Sequence, residues 1–163
     1  MRYHNITKDD MLNGEGLRTV LWVAGCSHHC PQCHNPVTWD INGGLVFDEQ
    51  AKEELFEELK KDYVSGVTFS GGDPFHLENR EEIGALAKEI REKFPEKTIW
   101  LYTGYEWEEI CHLSFLSNID VIVDGKFKIE EKDNNLHWKG SANQRVIDVK
   151  ASLRAGEVRL YQE

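Results

Sequence analysis

Four apolar runs, each closed by a glycine-containing turn, set the strongest limit on what this chain folds into. Residues 18–25 run Arg-Thr-Val-Leu-Trp-Val-Ala-Gly, and 66–70, 98–102 and 119–123 are similarly rich in β-branched and aromatic residues. Runs of this kind read as strands buried in a parallel sheet. Between them the period changes to that of helices. The spacing predicts a helix over about 48–62, with Asp48 as N-cap and Ala51, Leu55 and Leu59 four apart. A second, over about 79–94, places Ile83, Leu86, Ala87 and Ile90 on one face. A short helix is expected over 107–111, and 144–148 and 157–160 are candidate further strands.

Strands alternating with helices imply βαβ units, right-handed crossovers and an α/β fold. With 163 residues the chain is too short for a complete eight-fold barrel of ~250 residues. A half-open barrel or a small doubly wound sheet remains, in one domain covering 1–163. Either architecture binds ligands beyond the carboxyl ends of its strands. Four turns follow strands directly: the segment after Gly25, Gly71-Gly72-Asp73-Pro74, Thr103-Gly104-Tyr105, and Asp124-Gly125-Lys126. All four are expected at one edge of the sheet.

Three of the four cysteines fall within eight residues, Cys26-Ser27-His28-His29-Cys30-Pro31-Gln32-Cys33. Disulfides here would close tiny loops and leave an odd thiol, so the cluster reads as a metal site. Thiolates suit both iron–sulfur clusters and zinc. A 4Fe–4S cluster usually has four cysteine ligands; with three local ones, one iron is left open to substrate. The zinc alternative takes one of His28, His29 or His34 as a fourth ligand. Cys111, far along the chain after apolar Ile110, reads as a small core residue rather than a ligand. Trp22 and Trp100 lie in strands and read as core.

The formal net charge of −10 argues against non-specific binding to nucleic acid or an anionic membrane surface. No apolar run approaches the ~20 residues of a membrane span, and residues 1–5 lack a signal-peptide pattern. A cytoplasmic location is expected.

Taken in order, these segments resemble the radical S-adenosylmethionine superfamily. The carriers are the Cys-x3-Cys-x2-Cys loop after a first strand and Ser70-Gly71-Gly72-Asp73-Pro74 after a second. Residues 13–18, Cys33-His34-Asn35, Thr38-Trp39, 101–105, 123–127 and 140–145 narrow the likeness to glycyl-radical activating enzymes, closest to those serving anaerobic ribonucleoside-triphosphate reductase.

The resemblance implies a small incomplete, half-open β/α barrel with a parallel sheet. It implies that Cys26, Cys30 and Cys33 each hold one iron of a 4Fe–4S cluster, whose fourth iron takes the amino and carboxylate groups of S-adenosyl-L-methionine. Gly71, Gly72 and Asp73 would receive the amino end of that molecule, with Gln32 and His34 against it. Many superfamily members have an aromatic residue where this chain has Gln32, so stacking on the adenine must come from elsewhere. The implied reaction is reductive cleavage to a 5′-deoxyadenosyl radical, which makes a glycyl radical on the large catalytic subunit of the reductase. A flavodoxin-like electron donor is also implied. Arg18, Tyr105, Asp124 and Lys126 are weaker candidates; Asp124 and Lys126 would bind cofactor or partner, or form a surface ion pair. The alternatives are an activase of formate-lyase type and a small zinc-binding interaction module.

Overall fold

The computed structural model describes residues 1–28 and 39–162. Strand β1, Arg2–Asp10, forms a hairpin with β2, Arg18–Val23, and β3, Leu45–Val46, lies along the outer edge of β1. Helix α1, Glu49–Leu59, then leads to β4, Gly66–Gly71, and α2, Arg80–Lys93, to β5, Thr98–Tyr102. The short α3, Trp107–Ile110, and a 3-10 turn at Ser114–Asn118 lead to β6, Val121–Asp124. Strand β7, Arg145–Asp148, and α4, Val149–Ala155, follow.

The sheet order is β3-β1-β2-β4-β5-β6-β7. The four central strands, β2, β4, β5 and β6, are parallel, whereas β1, β3 and β7 add antiparallel flanks. The sheet is therefore mixed and open, with a parallel centre where a wholly parallel sheet was expected.

Side-chain alternation divides the central strands between two environments. Leu21, Val23, Val67, Phe69, Ile99, Leu101 and Ile122 point into one core with Leu55, Leu59, Ile83, Leu86, Ile90 and Ile110 from the helices. The faces predicted for α1 and α2 are those buried, and Asp48 caps α1 by accepting from the Ala51 amide at 2.9 Å. On the opposite face Trp100, Val121 and Val123 pack with Tyr102, Trp138, Val146 and Tyr161. Trp100 is core, as its strand position implied; Trp22 is half-buried and donates through Nε1 to Thr7 Oγ1 at 2.9 Å.

Three expectations need correction. Residues 157–160 form no strand; Leu160 makes a single bridge to Ile147. Cys111 is exposed, because it caps the end of α3 while Ile110 takes the core position. Asp124 makes no surface pair with Lys126: it is buried and bound by Arg145, and Lys126 is exposed.

A candidate cluster site at the carboxyl edge of the sheet

The ladder between β2 and β4 continues to Val23↔Gly71, but that between β4 and β5 stops at Phe69↔Leu101. Past that point β4 and β5 pair no further, and the turns that follow the strands are bonded to one another. The turn after β4 is tied first to the turn after β2. The Gly72 amide donates to Val23 O at 2.9 Å and the Asp73 amide to Gly25 O at 2.7 Å. Gly71 has φ of +108°, and a Cβ there would lie 2.6 Å from backbone atoms of Val23. Only glycine lets the two strands stay this close.

Asp73 gathers three loops on one carboxylate. It is 1% exposed. Oδ1 accepts from the Phe75 amide at 2.9 Å and Thr103 Oγ1 at 2.8 Å, and Oδ2 from the Gly104 amide at 2.9 Å. His28 Nε2 donates to Oδ2 at 2.6 Å. An ionised carboxylate is acceptor-only, so the imidazole nitrogen facing it carries the proton. Asn79, fully buried at the start of α2, adds a tie by donating from Nδ2 to Ala24 O at 2.9 Å.

The last turn joins through backbone. The Thr103 amide donates to Val123 O and the Gly125 amide to Tyr105 O, both at 3.0 Å. Arg145 and the Trp107 amide hold Asp124, and Gln144 Nε2 donates to Gly125 O at 2.9 Å. The four turns named from sequence thus meet at one edge.

Cys26 emerges from this edge, half-buried. Its amide donates to Trp39 O at 3.0 Å, which brings the two ends of the cysteine segment together. Cys30, Gln32, Cys33 and His34 lie outside the described residues. The described part fits an iron–sulfur group: a soft thiolate on a loop closed at its base, with two further cysteines between the closing points.

A family profile described as a 4Fe-4S single cluster domain matches residues 12–147. An anaerobic ribonucleoside-triphosphate reductase-activating protein of Enterobacteria phage T4 is 44% identical over 146 residues, 90% of this chain and 93% of the relative. Relatives of the same name from Salmonella typhi and Escherichia coli K12 are 40% and 39% identical over 150 residues, 90% of this chain and 97% of each. The chain belongs to this family.

Not every candidate residue lies at the edge with Cys26. Arg18 starts β2, roughly 17 Å of strand from the cysteine loop at ~3.3 Å per residue. It is fully buried, and its five N–H donors reach Thr68 Oγ1, Glu15 O, Thr98 Oγ1, Val67 O and Thr98 O at 2.8–2.9 Å. Burial lowers its pKa to about 10. It staples the β1–β2 connection to the opposite edge. Tyr105 is at the site, packed edge-on to His28 with ring centroids 4.7 Å apart. From sequence His28 reads as a zinc ligand, a solvent-exposed residue or a support beside the metal ligands, with no partner assigned; Asn79 and Arg145 are given no role at the site. His28 alone carried a signal, being an imidazole inside the cysteine motif. No helix is long and apolar enough to cross a membrane among the described residues.

Proposed function

We propose that this protein activates an anaerobic ribonucleoside-triphosphate reductase by generating a glycyl radical on its large catalytic subunit, through reductive cleavage of S-adenosyl-L-methionine. In this reading Cys26, Cys30 and Cys33 hold one 4Fe–4S cluster within a single radical S-adenosylmethionine domain. A reduced cluster supplies the electron that breaks a C–S bond of S-adenosyl-L-methionine, giving methionine and the 5′-deoxyadenosyl radical. What the protein supplies is position.

The observation that carries the reading is that the base of the Cys26 loop and the Gly71-Gly72-Asp73 turn are tied together at the carboxyl edge of the sheet, by the Asp73 amide to Gly25 O and by His28 to the Asp73 carboxylate. The two glycines leave backbone exposed to a ligand's amino end. Asp73 keeps that turn in place through its bonds to Phe75, Thr103 and Gly104 rather than by offering an idle carboxylate. Gln32 and His34 flank the third cysteine and are proposed to contact the same molecule. Asp124, committed to Arg145, is a support of the site, while exposed Lys126 stays available to cofactor or partner.

The relatives' name favours the reductase over a formate-lyase-type target, and the family profile favours a cluster over zinc. A flavodoxin-like protein is the proposed electron donor, and the reducing cytoplasm the proposed location. The test is anaerobic incubation of the reconstituted protein with S-adenosyl-L-methionine, reductant and the large subunit of a reductase, read by electron paramagnetic resonance. A glycyl-radical doublet on the subunit that requires this protein is expected. Its absence, with cleavage of S-adenosyl-L-methionine intact, would move the target to another glycyl-radical enzyme.

A further inference from the structure

His28 sits two residues from Cys26 and two from Cys30, yet its ring belongs to the other side of the site. Its side chain is 7% exposed and meets an Asp73 side chain that is 2% exposed, at 2.6 Å. Asp73 is fixed independently by Phe75, Thr103 and Gly104, so the carboxylate is an anchor and the imidazole is what it holds. The slot that admits the ring is built for it. A Cβ at Gly104 would lie 2.4 Å from His28 Cδ2. Tyr105 closes another wall, and the Arg80 guanidinium lies 4.9 Å over the Tyr105 ring while donating from Nε to Phe75 O at 2.8 Å.

We propose that His28 is a positioning residue: its hydrogen bond to Asp73 sets the cysteine loop in register with the Gly71-Gly72-Asp73 turn, so that cluster and S-adenosyl-L-methionine are presented to each other at a fixed offset. The catalytic consequence rests on the function proposed above; the latch itself does not. A buried imidazole–carboxylate hydrogen bond of 2.6 Å is among the stronger polar contacts available, and it fixes the chain two residues after Cys26.

Two measurements test this on His28→Leu, which keeps bulk without a donor, and His28→Gln, whose Nε2 can reach Asp73. In metal-free protein, iodoacetamide labelling of Cys26, Cys30 and Cys33 is followed by peptide mass spectrometry, with exposed Cys111 as internal reference. Labelling of the loop should speed up about tenfold in the leucine variant and within about twofold of wild type in the glutamine variant, as expected for loss and retention of one strong hydrogen bond. In reconstituted protein both variants should retain iron and sulfide. KM for S-adenosyl-L-methionine should rise roughly tenfold in the leucine variant alone, and its reduced-cluster resonance should respond less to added S-adenosyl-L-methionine. If His28→Leu does not fold, Gly104→Ala replaces it, since the added methyl displaces the ring from the other side. Wild-type labelling and KM in the leucine variant, or a glutamine variant as impaired as the leucine one, would overturn the proposal. Wild-type protein that never responds to S-adenosyl-L-methionine would sink the proposed function, while the labelling arm would still decide the latch.

Discussion

Arg145 grips Asp124 with two nitrogens, Nε at 3.1 Å from Oδ1 and Nη2 at 2.6 Å from Oδ2, and so ties β7 to the end of β6 beside the site. Asp124 also accepts from the Trp107 and Arg145 amides. Contact with Asp124, and then Glu108, raises the guanidinium pKa, and Arg145 in turn lowers that of Glu108. Removing the cation leaves a 1%-exposed carboxylate with backbone donors only. Arg145→Leu should therefore cost roughly 2–4 kcal/mol in urea unfolding, less than a wholly buried pair because Arg145 is 34% exposed. Arg145→Lys should recover only part of this, since an ammonium cannot reproduce the planar fork.

Arg18 offers the converse test, a buried cation whose hydrogen-bond partners are all neutral oxygens. Arg18→Lys has three donors for five acceptor contacts and should destabilise by about 2–3 kcal/mol. Because Arg18 lies at the edge away from Cys26, iron and sulfide content per folded protein should not change. Unfolding and metal analysis on one preparation check both statements.

Tyr102 gives a pH dependence. Its hydroxyl is buried without a hydrogen-bond partner among the described residues, and burial, with Asp10 next, raises its pKa. A raised pKa means the unfolded chain releases this proton first. Stability is thus unaffected below the unfolded value of about 10 and falls as pH rises above it. Tyr102→Phe should flatten that alkaline decline. At neutral pH it should be neutral or stabilising by up to ~1 kcal/mol, because it removes an unpaired buried polar group. Thermal unfolding between neutral and strongly alkaline pH measures both.

The parts of the fold visible in the sequence are those with a strong period. β2, β4, β5 and β6 carry apolar runs buried on both faces, and α1 and α2 carry one buried stripe each. Strand β1 was illegible because Arg2–Asp10 is mostly polar, with Ile6 its one buried residue, and two register shifts break its alternation. Helix α4 was hidden because its seven residues bury only Val149 and Ser152. At the site, the meeting of four strand-end turns followed from topology alone. What did not follow is how they are joined. That Asp73 binds His28, Thr103 and Gly104 depends on contacts across 30–45 residues of chain, and no local pattern encodes such pairings.

The central claim is that three cysteines hold a cluster that cleaves S-adenosyl-L-methionine. Its most direct test is to reconstitute the protein anaerobically with iron and sulfide, reduce it, add S-adenosyl-L-methionine, and assay 5′-deoxyadenosine and methionine. The account predicts both products in equal amounts from wild type and from Cys111→Ser, and neither from Cys26→Ser, Cys30→Ser or Cys33→Ser. Protein that binds one zinc without labile sulfide and forms neither product, or a Cys30→Ser variant with full activity, would contradict it.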